Sequence, residues 1–210
     1  MSNSDNRSYY YPNKMGRIIL LAMEEILGRN GIHAILNHTE LHHWINNYPP
    51  NNLDLSFPFD DLSRIQVGLE EIYGPRGGQG LALRIGQASF KYGLREFGPM
   101  LGITDMAFRL LPLPTKLSKG AEIFADTFNK FTDQMVRIED TKDAIFWHIE
   151  RCPVCWQRKT EKPSCNLAVG ILQEALYWIS GGKFFNVEET FCIAQGDPAC
   201  IIVIEKASNE

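Results

Sequence analysis

Five cysteines are the residues of this chain best suited to chemistry, and all five lie between Cys152 and Cys200. The 151 residues before them contain none. An odd count, behind a polar start (MSNSDNRSYYYPNK) with no hydrophobic signal core, argues against a disulfide framework. Clustering of this kind favours a metal or redox centre over incidental core thiols. Cys152-Pro-Val-Cys155 is a CxxC, compatible with zinc, a cluster or dithiol redox chemistry. Cys165 follows Pro163-Ser164 at an expected helix start, where free amides and the helix dipole favour thiolate over thiol. Cys192 and Cys200 stand symmetrically about Gly196. In a hairpin with that centre they are cross-strand neighbours, with Cβ atoms about 5 Å apart. Such a pair can share a metal or form a disulfide. Glu189 points to the opposite face from Cys192 in an ideal strand, and joins it only through a bulge or a strong twist.

Two other motifs read as structure. The glycine-rich GPRGGQG of residues 74–80 lacks the Lys-Ser/Thr of a phosphate loop and follows a helix, so it is expected to be a flexible helix-to-helix turn. His38, His42 and His43 have a zinc-compatible spacing but no nearby thiol or well-placed acid, and are expected to be solvated.

The elements that position the cysteines follow from periodicity. The first dozen residues read as a loose tail. Pro12 opens a helix with Met15, Ile18, Ile19, Ala22 and Ile26 on one face, stopping near Gly28, and residues 31–45 can hold another. Residues 46–59, rich in Asn and Pro, read as a loop. Leu62, Ile65, Leu69 and Ile72 mark a helix closed at Gly74-Pro75. A longer helix follows from Leu81 to Leu101, with small residues Gly86, Ala88 and Gly93 that let another element approach. Beyond a break at LLPLP, Leu117, Ala121, Phe124, Phe128 and Phe131 mark a further amphipathic helix. The period then changes to two. Val136 and Ile138 alternate in one strand and Ile145, Trp147 and Ile149 in the next, with a turn at Thr141-Lys142 pairing Val136 with Trp147. A helix over residues 164–179 and a second hairpin, residues 184–194 and 200–205, complete an α+β fold with an antiparallel sheet of about four strands.

Composition agrees with a globular protein. The chain is 44% hydrophobic, and 21 basic against 25 acidic residues give a net charge of −4, which does not recommend nucleic acid as partner. The longest apolar run, near residues 18–23, is far short of the ~20 residues that span a bilayer. A cytoplasmic or membrane-peripheral protein is expected. An apolar pocket is expected between the sheet and its helices, lined by Trp147, Ile145, Ile149 and Val136 with Phe124, Phe128, Leu172 and Leu176.

The segment from Cys165 onward, C-x4-G ending at Gly170 and then VEETFCIAQGDPAC, resembles the 4-vinyl reductase-type, hydrocarbon-binding domain. The matching pieces are Cys165, Gly170, Glu189, Cys192, Gly196 and Cys200, with Cys192-x7-Cys200 the most specific. The resemblance is strongest over residues 132–206 and fits a domain over 59–207, preceded by a helical arm and linker over 1–58. It implies a ligand-binding fold like that of NO-signalling and Golgi-transport proteins, often dimeric. The apolar face of the first helix is a candidate for such pairing. As in the sensor domains of phenol-responsive regulators, the resemblance implies a structural zinc on Cys165, Glu189, Cys192 and Cys200. Cys152 and Cys155 depart from that pattern and are alternates for the place of Glu189.

A vinyl reductase needs a hydride donor, and no site for one is recognisable. Binding is therefore favoured over catalysis. There is no helix-turn-helix or ATPase module, so a complete transcription regulator is not expected. The family's link to bacteriochlorophyll synthesis makes the leading expectation a binding protein for a hydrophobic small molecule of tetrapyrrole or chlorophyll type, aiding photosynthetic complex assembly through a partner protein. A thiol or metal redox sensor comes second, and a vinyl reductase with a separate electron donor third.

Overall fold

The computed structural model describes residues 8–101 and 106–209. Strand β1 (Tyr10–Pro12) leads into helix α1 (Asn13–His38), strand β2 (Leu55–Pro58), helix α2 (Phe59–Leu101), the short α3 (Met106–Arg109) and α4 (Leu113–Phe131). Then come β3 (Met135–Asp140), β4 (Ala144–Arg151), α5 (Asn166–Ser180), β5 (Phe184–Phe191) and β6 (Cys200–Asn209). The architecture is α+β, with one antiparallel four-stranded sheet in the order β3-β4-β6-β5. Helix α4 packs along β3, α5 lies on β5, and α2 packs against both α5 and α1.

Several local expectations need correction. Residues 10–12 are not a loose tail, nor is the whole of 46–59 a loop, because β1 and β2 pair into a small antiparallel ribbon. GPRGGQG is not a flexible turn. Gly74 alone breaks the helix, at φ 74° and ψ 160°, and the chain resumes helical geometry at once. The two halves then fold so closely together that a Cβ on Gly78 would stand 2.6 Å from the Glu70 backbone. Tertiary contact there outweighs the low helix propensity of the glycines. Gly28 makes an equivalent break in α1, at φ 71°.

The first hairpin is shifted from its expected register. Val136 pairs with Ile149 and Ile138 with Trp147, because Thr141 closes the turn two ways onto Ala144: its amide donates to the Ala144 carbonyl and its hydroxyl accepts from the Ala144 amide. A two-residue slip keeps every side chain on its face, so the apolar pattern permits both registers and the turn chemistry decides. The apolar face of α1 is covered by the chain's own core, with Ile19, Leu20 and Met23 buried beside Phe57, Phe59 and Leu62.

The contact between α2 and α5 requires glycine on both sides. A Cβ on Gly86 would lie 2.2 Å from the Leu167 carbonyl oxygen, and one on Gly170 would lie 2.0 Å from that of Leu83. The two backbones therefore touch. This fixes α5, and with it the position of Cys165 at its N-terminus.

Candidate metal centre and ligand cavity

All five thiols converge at one end of the sheet. Cys152 directly follows β4, Cys155 closes the short loop after it, and Cys165 is the N-cap of α5. Cys192 directly follows β5, and Cys200 opens β6. None is more than 1% exposed. Sulfur–sulfur separations are 3.5 Å for Cys152–Cys165, 3.4 Å for Cys155–Cys200 and 3.7 Å for Cys165–Cys200. Cys192 lies 3.9 Å from Cys165 and 3.8 Å from Cys200. A tetrahedron of thiolates around zinc, with bonds of about 2.3 Å, has edges of about 3.8 Å. The observed spacings are those of metal ligands.

Glu189 reaches this cluster through the irregularity that an ideal strand lacks. Along the β5–β6 pairing Glu189 opposes Ile202, but Phe191 already opposes Ile201, so Thr190 is the extra residue of a bulge. Thr190 and Phe191 both face outward while Glu189 and Cys192 both turn in. One carboxylate oxygen of Glu189 accepts a 2.7 Å hydrogen bond from the Cys165 amide, which orients it. The other is buried with no partner in the protein. An orphaned carboxylate oxygen against buried thiols fits a metal ligand, since burying such a group unpaired is costly. Two four-ligand sets are therefore formed: Cys165, Glu189, Cys192 and Cys200, and Cys152, Cys155, Cys165 and Cys200. Bound at either, a zinc ion supplies structural cross-linking. The Ile193 amide also donates to the Cys200 sulfur at 3.3 Å, an outer contact that orients a thiolate.

Without metal these groups hold their protons. Burial first, then the Cys192 sulfur, pushes the Glu189 carboxyl up to about 8. Burial and the surrounding thiols push Cys165 well above the ordinary thiol range. A carboxyl raised on folding stabilises the folded state below its unfolded value and loses that contribution as pH rises through about 8. The chelated protein should therefore lose stability between pH 5 and 8. The zinc-loaded protein should gain, because each proton displaced strengthens metal binding by about tenfold per pH unit. Melting curves at both pH values, with and without chelator, check this. Parallel trends for the two forms would contradict it.

Beside the cluster, an apolar cavity of about 100 Å³ opens between the sheet and the helices. Of the expected lining, Trp147, Ile149, Phe124, Phe128 and Leu172 border it. Leu176 lines only a neighbouring cavity of about 30 Å³, which shares Phe90, Phe124, Trp147 and Leu172 as walls. Ile145 and Val136 line neither. Ile145 sits at the turn end of the hairpin, opposite Asp140, and Val136 lies in edge strand β3. Sequence periodicity does not reveal the α1 and α2 walls: Met15, Ile18 and Ile19 from the first, Ser89, Phe90, Gly93, Leu94 and Phe97 from the second. Gly93 is the available signal, since a mid-helix glycine with nothing within 4 Å of its would-be Cβ marks open space.

The polar groups of the cavity are few. The Tyr11 hydroxyl donates to the Gln134 carbonyl oxygen, and the Thr127 hydroxyl donates to the Ile123 carbonyl oxygen at 2.7 Å. The Ser89 hydroxyl lines the cavity, is buried, and has no partner. The cavity and the thiols also share walls. Val154, between the CxxC cysteines, and Leu167, just after Cys165, both border it. Across the described residues no helix is long and apolar enough to cross a membrane. The three histidines stay at the surface, with His38 bonded to Glu71, His42 to Asn37 and His43 to Asp61.

The fold is shared with solved structures. An H-NOX protein from S. oneidensis, solved in its Fe(II)NO ligation state, is similar with a TM-score of 0.57 at 13% identity, covering 92% of this chain and 99% of that one. An unliganded Fe(II) H-NOX mutant from K. algicida matches at 0.57 and 11%, covering 95% and 97%. A Cs H-NOX mutant matches at 0.60 and 13%, covering 94% and 97%. No curated protein matches the chain. The family model of the 4-vinyl reductase domain matches residues 145–206, from within β4 through β6, a span that holds all five cysteines and Glu189. From residue 145 to residue 206 this chain is a 4-vinyl reductase-type domain, built on an H-NOX-like fold.

Proposed function

We propose that the protein binds a small, flat, mostly apolar molecule in the cavity between α1, α2, α4, α5 and the sheet, and that zinc at the thiol cluster holds one wall of that cavity. The observation that carries this reading is the unpartnered Ser89 hydroxyl in an otherwise apolar lining. A ligand with one hydrogen-bonding group would satisfy it. At about 100 Å³ the cavity is somewhat smaller than the ~150 Å³ that accommodates benzene in an engineered core site, so a single aromatic ring is the natural size class. A tetrapyrrole is several times larger. It enters only if Phe90, Phe124, Trp147 and Leu172 swing aside to join the two cavities and α1 moves outward. The lining also offers no His or Cys to a haem iron, and the Tyr11 hydroxyl is already bonded to Gln134. The monocyclic ligand is therefore favoured over the pigment.

The complete burial of the thiols supports a structural metal over a redox sensor, whose cysteines are ordinarily exposed to oxidant. The test of ligand binding is tryptophan emission and melting temperature with phenol, indole and a soluble porphyrin. Saturable quenching and a raised Tm are expected with the one- and two-ring compounds. Gly93→Leu should fill the cavity and abolish that response. It should leave the fold intact, since replacing a helical glycine contributes about 0.5–1 kcal/mol of stability. A folded wild-type protein that responds to none of the three compounds would end this reading.

A further inference from the structure

We infer that the thiol cluster is a two-metal centre, in which Cys165 and Cys200 bridge two tetrahedral divalent ions. This rests on the zinc reading above and goes beyond it by adding a second ion. The two four-ligand sets overlap in those two residues alone. Cys165 and Cys200, 3.7 Å apart, form a common edge. On one side of it stand Cys152, 3.5 Å from Cys165, and Cys155, 3.4 Å from Cys200. On the other stand Cys192, in reach of both, and the free oxygen of Glu189. Two tetrahedra sharing one edge need six ligands, and the site supplies five thiolates and one carboxylate.

The chemistry of a single ion accounts for this site poorly. One zinc on the Glu189 set leaves Cys152 and Cys155 as spare thiols, fully buried and against the sulfurs already ligating. One zinc on the four-cysteine set leaves the buried carboxylate oxygen unpartnered. Filling both satisfies every donor. It also leaves the six anionic ligands with a residual charge of −2 rather than −4, and buried charge is costly. An iron–sulfur cage suits the spacing less well, because inorganic sulfide would push thiolates of different irons beyond the single-tetrahedron edges seen here.

The test uses the full chain, prepared metal-free under anaerobic conditions and titrated with Zn²⁺, read by native mass spectrometry. Two zinc ions per chain are expected. Cys155→Ser and Cys192→Ser should each retain one, since each removes a ligand from one side of the shared edge. Loading with ¹¹³Cd should give two resonances coupled to each other through the common thiolates. One ion per wild-type chain would overturn the two-metal centre while preserving the single structural zinc. No bound ion would overturn both. Two uncoupled cadmium resonances, or a visible-absorbing iron–sulfur species, would also overturn it.

Discussion

Cys165→Ser is expected to strip the metal and unfold the C-terminal half of the protein. Cys165 belongs to both ligand sets, caps α5, and places its amide on Glu189. Structural zinc contributes ~10–16 kcal/mol of folding free energy in small zinc-dependent peptides. A whole domain is stable by only about 5–15 kcal/mol. Even a fraction of the metal term therefore exceeds what the remaining core can offset. The variant should purify without zinc, and its melting transition should be lost or fall by tens of degrees. Chelation of the wild-type protein should move it the same way. A Cys165→Ser protein with full zinc and an unchanged Tm would contradict the account.

Gly170→Val should be nearly as damaging, for a reason unrelated to metal. Its first side-chain atom would stand 2.0 Å from the Leu83 carbonyl oxygen, closer than any real contact, and a backbone carbonyl in mid-helix cannot rotate aside. Helices α2 and α5 must separate, at a cost of about 1–3 kcal/mol or more. Both helices line the cavity, through Ser89 and Phe90 on one side and Leu167 and Ala168 on the other. Ligand affinity should thus fall together with stability. Urea denaturation alongside ligand titration measures both. An unchanged midpoint would show that the helices do not touch as described.

What is legible in the sequence, and what is not, follows from the range of each interaction. The convergence of Cys165, Cys192 and Cys200 is readable because a helix start and a hairpin centre are local signals. The entry of Glu189 is readable only as a condition, since a bulge is one extra residue whose position no alternation pattern marks. The hairpin register differs from its expectation by two residues because Thr141 bonding at the turn, not hydrophobic alternation, sets it. The walls from α1 and α2 are invisible for another reason. Met15, Ile18 and Phe90 have ordinary helical spacing, and only the tertiary arrangement leaves space between them. Likewise Gly86 and Gly170 read as small residues, but that they meet each other's helices is a long-range fact.

The central claim is that the metal centre holds the cavity in shape, through Val154 in the CxxC loop and Leu167 beside Cys165. Its most direct test is the affinity of one small aromatic ligand, phenol or indole, for the same protein before and after chelation, at a temperature where the chelated form retains its helical circular dichroism. The account predicts a loss of about tenfold or more on chelation, restored by adding Zn²⁺. Equal affinity in the loaded and the metal-free protein would contradict it.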